Sequence, residues 1–318
     1  MKRWLIALAL FGVGALAFFQ IISLADLSWD PFLAILLGVD PPMVLVTLVL
    51  LALVFLCAAL KWKIITEIQS DAARSTFFYF RYVTLAVAVG QVFPLTLCNA
   101  SVRAYALKRK EGHGVLKTTG LFLWDQAFDF MALGLLVCIG VIRYLGNLSF
   151  LSTAFAALGV WVVIVGLMPF LMALLVKVIT WLCRRSWIPV GARDMLGHLL
   201  ENNLLHANVA RKLFSLGMVK YVTSAAVYTC IFALYGLGYM AFDIYWSAPT
   251  AEMAGVLSQM PGGLGALDWT WVGALSANGL DAKAAATAVL GMRFLLICSY
   301  LTLTLFTWGP HLVRRFRG

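Results

Sequence analysis

The sequence predicts an all-α polytopic membrane protein, with about six full transmembrane helices plus two re-entrant hairpins in an inverted repeat. Three observations predict it. The chain is 63% hydrophobic and 12% charged with a mean hydropathy of +0.93, and several stretches exceed the roughly 18 apolar residues that read as a membrane span. Its basic residues are segregated into a few loops. Two apolar segments are broken by proline and polar residues at corresponding points of a weak internal repeat. Almost all of the 318 residues are needed for the bundle, so a single domain over 1–318 is expected, with no room for a soluble catalytic domain.

The first span is expected to follow Met1-Lys2-Arg3 and run to about Ile22. A signal peptide cut after Ala15-Leu16-Ala17 is the alternative, but the apolar run continues past that triplet. A lysine-free acidic loop (Asp26, Asp30, Asp40) leads through Pro41-Pro42 to a second span, about Met43–Ile65, and then to basic residues including Lys61, Lys63 and Arg74. Full spans are expected at about Thr118–Ile142, Leu151–Val176, Leu213–Tyr239 and Ala284–Trp308. The polar stretch Lys177–Lys212 contains a helical periodicity from Met195 to Val209, which suits either an interfacial helix or a solvated hairpin.

The first broken segment, Phe78 to Leu97, holds Arg81, Gln91 and Pro94 and lies between two basic clusters, so it enters and leaves on the cytoplasmic side. The second contains Pro261-Gly262-Gly263-Leu264-Gly265 within Asp243 to Asp281, a stretch with acids and no Lys or Arg. That is an exterior signature. This topology leaves only Arg143 and Lys283 of the 24 Lys and Arg on the outer side, and both termini in the cytoplasm. A bacterial-type inner membrane is the expected location. The net charge of +10 therefore reads as membrane orientation rather than nucleic-acid binding.

Gly112 follows Pro94 by 18 residues and Gln126 by 32; Gly279 follows Pro261 by 18 and Arg293 by 32. The pseudo-repeats, roughly 78–142 and 245–309, would be separated by three crossings and hence inverted. Broken hydrophobic segments at matching positions are the sequence pointer to a transport site. Irregular backbone at membrane depth survives where it is buried in protein or faces a water-filled cavity. Kinked ordinary spans are the alternative.

Ionisable residues in a span are functional-site candidates because a charge there costs at least a few kcal/mol. Arg81, Asp125, Asp129, Lys220, Asp268 and Arg293 qualify. Asp125 and Asp129 share one helix face, and an Arg at the tip of the facing hairpin, or Arg293, is expected to pair with them. Either substrate contact or a fixed ion-pair lock fits. Gly262, Gly263 and Gly265 allow tight turns, and a helix starting after them offers free N–H groups to an anion. Gln91, Asn99, Arg103 and Gln259 complete the candidate set. Lys220 reads as a snorkelling residue. Most tryptophans, among them Trp62, Trp124 and Trp246, read as interfacial belts; Trp124 and Trp269 could instead line a headgroup cavity.

The six cysteines form no C-x-x-C pair and the four histidines have no ligand spacing, so no disulfide framework, metal site or cofactor is indicated. No G-x-S-x-G or Walker A loop is present. A non-enzymatic protein is expected.

Pro94 through Arg103, Ala104 and Tyr105 is similar to a P-x-x-x-G-G-D-x-x-R-a-y motif, with Cys98-Asn99-Ala100 in place of G-G-D. Asp125-Gln126-Ala127-Phe128-Asp129 resembles E-R-x-x-D, and Pro261 to Asp268 resembles P-G-G-x-G-x-x-E, with a later Arg at Arg293. Together these motifs resemble the lysylphosphatidylglycerol synthase transmembrane (flippase-like domain) family over nearly the whole chain. The resemblance implies paired re-entrant helices and movement of polar lipids between leaflets, of aminoacyl-phospholipid or polyprenyl-linked glycolipid type. It also implies a stand-alone member, since the chain ends at Gly318 without the soluble synthase domain. Arg103, Arg293 and the hairpin glycines would hold an anionic headgroup in a central cavity, with Asp125, Asp129 and Asp268 contacting cationic or hydroxyl groups or gating. The alternative is a non-transporting subunit that presents a lipid-linked sugar to a partner glycosyltransferase.

Overall fold

The computed structural model describes residues 16, 18–25, 40–68, 74–111, 115–185, 197, 200 and 205–316. In chain order its helices are α1 (Pro41–Glu67), α2 (Thr76–Val89), α3 (Leu95–Glu111), α4 (Val115–Gly146), α5 (Phe150–Cys183), α6 (Ala207–Leu234), α7 (Ala241–Ser258), α8 (Ala266–Ala277) and α9 (Ala282–Phe316), with a short 3-10 turn at Gly238–Met240. Among the described residues, Pro41–Glu67, Gly120–Gly146, Phe150–Cys183, Ala207–Leu234 and Ala282–Gly309 are long and apolar enough to cross a membrane. These are the five spans expected after the first. That first span lies largely outside the described residues, of which 16 and 18–25 are helical. Most of the Met195–Val209 stretch and the Gly112 landmark also lie outside them.

Helix ends follow local chemistry. Ser149 caps α5, its Oγ accepting from Ser152 N–H at 3.2 Å. α6 stops at Leu234 rather than at Tyr239 because Gly236 takes φ 75°, while Leu237 N–H donates to Phe232 C=O at 3.1 Å and Gly236 N–H to Ala233 C=O at 3.0 Å. That is the glycine-terminated double hydrogen bond of a helix C-terminus. Gly279 (φ 95°) closes α8 in the same way, with Leu280 N–H on Leu275 C=O at 3.1 Å.

Both expected breaks are present. α2 is 14 residues long and α8 is 12. At about 1.5 Å per residue they reach about 21 and 18 Å, short of the roughly 30 Å hydrocarbon core.

The chain divides into two compact units. The first comprises Met1–Phe55, Val83–Asn99 and Tyr221–Gly318. Within it α8 packs on both α7 and α9. Gly255 of α7 admits Leu267 so closely that a Cβ there would lie 3.1 Å from its side chain. Tyr228 and Phe232 of α6 lie 5.1 and 4.9 Å from the Trp271 ring. Thr84 and Thr307 share a buried hydroxyl contact of 3.0 Å, and Thr304 donates to Thr84 C=O at 3.1 Å, fixing α2 to α9.

The second unit comprises Leu56–Tyr82 and Ala100–Lys220. Here α4 packs on α5, and Arg211 Nε ties α6 to α5 through Val165 C=O at 3.0 Å. Gly217 lets α6 approach α4 closely: a Cβ there would sit 3.3 Å from Ala132 and 3.5 Å from an Asp129 oxygen.

Candidate functional site

The candidate residues fall into two groups, one in each unit. In the first unit the two helix breaks meet. Pro94 and Pro261 lie opposite each other as an isolated antiparallel bridge, and Gly262 N–H donates to Gly90 C=O at 2.8 Å. Proline has no N–H, so Gly262 supplies the donor. Its φ of 55° favours glycine, and a Cβ there would stand 3.1 Å from Gln91 Oε1 and 3.2 Å from Arg293 Nη1. Gln91 Nε2 donates back to Val87 C=O at 3.2 Å. Across the seam Thr96 Oγ1 donates to Gln259 Oε1. Gln259 itself holds a left-handed φ of 52°, its Nε2 donating to Val256 C=O at 2.6 Å. Asn99 is half-buried one turn after Thr96.

Gly263 (φ 71°) and Gly265 (φ 81°) carry the turn into α8. Asp268, at the third helical position, accepts from Gly265 N–H at 2.9 Å. The carboxylate therefore reaches back to the cap backbone as in a capping box. Arg293 of α9 meets Asp268 as a fork: Nε on Oδ1 at 2.5 Å and Nη2 on Oδ2 at 2.9 Å. Its third nitrogen, Nη1, donates to Gly262 C=O. Asp268 is fully buried and Arg293 is 8% exposed. Two expectations are corrected here. Arg293 pairs with Asp268, not with Asp125 or Asp129, because α9 packs on α8. The anion at the start of α8 is the protein's own carboxylate.

In the second unit charged residues alternate in a ladder. Arg103 Nη1 bonds Asp125 Oδ2 at 2.7 Å. Lys61 Nζ lies 2.8 Å from Asp125 Oδ1, an ion pair whose angle is not that of a hydrogen bond, and donates to Asp129 Oδ1 at 2.6 Å and to Asp125 C=O at 3.2 Å. Lys220 Nζ bonds Asp129 Oδ2 at 2.9 Å. Each carboxylate thus carries two cations. Lys61, Arg103, Asp125 and Asp129 are buried, and Lys220 keeps a partly exposed rim position. Low polarity strengthens such attractions and makes an unpaired member costly.

The Arg103 guanidinium lies over Trp62 at 5.2 Å and Phe122 at 5.3 Å, a cation–π geometry on two rings. Its Nε is buried without a hydrogen-bond partner, as is Trp124 Nε1 beside Asp125. The fork of Arg293 is taken up by its neighbours; that of Arg103 is not. Arg81 lies on α2, its guanidinium 5.4 Å from the Tyr82 ring.

The pair Arg103–Asp125 joins α3 to the following α4, and Asp268–Arg293 joins α8 to the following α9, with acid and base exchanged between them. All four stand among the residues singled out from the sequence, and the pairing expected there for Arg293 is the one the structure changes. Lys61 was missed as a site residue. It read as one member of a basic stretch with Lys63, yet two residues on a helix are about 200° apart. One lysine can therefore turn inward while its neighbour turns out: Lys63 is partly exposed and pairs with Glu67 at 3.6 Å. Lys220, expected to snorkel, is tied to Asp129. The belt reading fails for Trp62, Trp124 and Trp246, which are buried inside the protein.

No curated protein matches the chain. The family described as the lysylphosphatidylglycerol synthase TM region matches residues 4–305, which span both helix breaks and both Arg–Asp pairs. The chain is a multi-pass membrane protein and belongs to the lysylphosphatidylglycerol synthase transmembrane-region family.

Proposed function

We propose that this protein is a flippase for a polar or anionic membrane lipid, of aminoacyl-phospholipid or polyprenyl-linked glycolipid type. The observation that carries the reading is Arg103: a buried guanidinium flanked by two aromatic rings, held by a single carboxylate, with Nε left unbonded. Buried donors in proteins are normally satisfied, and a phosphate oxygen is the acceptor best suited to an arginine. Family membership supports a lipid-related role.

In this reading α2–α3 and α7–α8 are re-entrant hairpins of an inverted repeat, among six full crossings in a bacterial-type inner membrane. Both termini are cytoplasmic. The Arg103–Asp125–Lys61–Asp129–Lys220 ladder receives the anionic headgroup, and rocking of one repeat against the other exposes it to alternate leaflets. The protein moves its lipid without transforming it, and a lipid-modifying synthase or glycosyltransferase supplies or consumes the cargo.

The test is leaflet accessibility in proteoliposomes, comparing fluorescent lysyl-phosphatidylglycerol with a short fluorescent polyprenyl phosphate. Wild-type protein is expected to accelerate one of them, and Arg103→Gln to lose the effect. Wild-type rates equal to those of empty liposomes for both lipids would reject flipping and favour the subunit that presents a lipid-linked sugar to a partner enzyme.

A further inference from the structure

The seam between the two helix breaks has a property that the charged ladder does not share. Its side-chain hydrogen bond, Thr96 to Gln259, is exposed. Other polar contacts across the helices of this unit are buried, as in Asp268–Arg293 and Thr84–Thr307, or partly buried, as in Ser224–Glu252. Around the exposed pair stand large apolar side chains that are also exposed: Val92 (66%), Phe93 (57%), Leu97 (63%) and Leu257 (65%).

The depth of the seam follows from helix rise. α2 carries the chain about 21 Å before it breaks, and Arg293, which holds Gly262, stands about 17 Å along α9 from Ala282. With α2 and α9 each entering the bilayer at its first residue, both values fall within the roughly 30 Å hydrocarbon core. At that depth Thr96 and Gln259 use only part of their bonding capacity on each other and on Val256 C=O, and the remainder is unfavourable against hydrocarbon alone. The backbone also carries strain at this point. Gln259 is one of two non-glycine residues with positive φ among the described residues, a conformation costing on the order of 1–3 kcal/mol. Few bonds hold the seam: between backbones, Gly262 N–H to Gly90 C=O, and between side chains, Thr96 to Gln259.

We infer that the Thr96–Gln259 seam is a lateral entry point for lipid. The polar head engages the Gln259 amide and Thr96 hydroxyl in place of their mutual bond, and a hydrocarbon chain lies on Val92, Phe93, Leu97 and Leu257. The occupant is one lipid molecule with a hydrogen-bonding head. Nothing charged is required of the seam itself, which separates this position from the anion subsite at Arg103. The inference rests on the lipid-transport reading and adds to it the route by which the lipid arrives.

The test locks the seam. In protein with its six cysteines replaced, Pro94→Cys and Pro261→Cys, which face each other across the seam and leave the Thr96–Gln259 pair in place, are joined by oxidation and released by reductant. Translocation of the fluorescent lipid that the wild type moves is expected to fall about tenfold on oxidation, as when the open population drops to a tenth, and to recover on reduction. Equal rates in the two redox states would overturn the entry point while leaving flipping intact.

A second measurement is independent of transport. Photoactivatable phosphatidylglycerol, or photoactivatable polyprenyl phosphate, in nanodiscs is expected to label Leu97 and Leu257 several-fold above Phe170, an equally exposed residue of α5. Leu97→Trp, which crowds the apolar surround without touching the polar pair, is expected to reduce that labelling. Equal labelling of seam and α5 would mean ordinary boundary lipid and would overturn the inference. Seam labelling without any translocation would retain the docking position and reject the flippase reading.

Discussion

At the scale of single residues, the two arginines differ in what their surroundings leave them to do. Arg293 spends all three nitrogens on Asp268 and Gly262, so its first role is to hold the turn before α8. Removing either member of the buried pair should cost about 3–5 kcal/mol, because the other is left charged and alone. Arg293→Ala and Asp268→Ala are each expected to lower the unfolding temperature in detergent, and the double variant by clearly less than the sum. Additive losses would show that the pair does not act as one unit. Lys61 answers to two carboxylates at once. Lys61→Met should therefore destabilise the protein by about 3–5 kcal/mol or more, a loss that thermal unfolding followed by tryptophan fluorescence would register. An unchanged midpoint would mean that the ladder is not needed for the fold.

At the scale of elements, the glycines decide how closely the broken helices approach. Gly262 combines a positive φ with neighbours on both sides, Gln91 and Arg293. Gly262→Ala is expected to cost on the order of 1–3 kcal/mol from the backbone alone, and cysteine-labelling rates at Thr96→Cys should rise as the seam loosens. Gly291 makes a different contact. A Cβ added there would overlap the Tyr235 ring, so a side chain at position 291 must push that ring aside or part α9 from the end of α6. Gly291→Ala should separate these helices and lower stability, and Tyr235→Ala in the same chain should recover most of the loss. No recovery would place the cost elsewhere than this contact.

At the scale of the whole molecule, the proposed orientation rests on charge. Lys and Arg cluster in the loops read as cytoplasmic, which leaves Arg143 and Lys283 for the outside. Arg143→Cys and Lys283→Cys in otherwise cysteine-free protein are expected to react with an impermeant maleimide added to intact cells, and Arg185→Cys only after lysis. Labelling of Arg185→Cys in intact cells would reverse the proposed orientation and with it the direction proposed for α2–α3 and α7–α8. Much of the fold is legible in the amino-acid sequence. The apolar runs locate α1, α4, α5, α6 and α9, and Pro94 and Pro261 mark the breaks together with the polar residues and glycines beside them, since a ring without an N–H weakens a helix yet Pro169 and Pro249 lie inside unbroken α5 and α7. Asp125, Asp129, Asp268 and Arg293 stand out because charge is rare in such helices, and Arg103 through the motif that begins at Pro94. Those are local signals, written in composition and spacing along one element. Which charge meets which is not legible there, because periodicity assigns a residue to a face and says nothing of the helix opposite. Packing of α8 on α9 takes Arg293 to Asp268, and the close approach of α6 to α4 at Gly217 brings Lys220 to Asp129. Lys61 turns inward although its sequence neighbourhood matches that of Lys63. The chain by itself determined where helices run, where they break and which side chains are costly to bury. Only the tertiary structure decided their partners, since ion pairing between segments far apart in sequence depends on helix contacts that no single segment encodes.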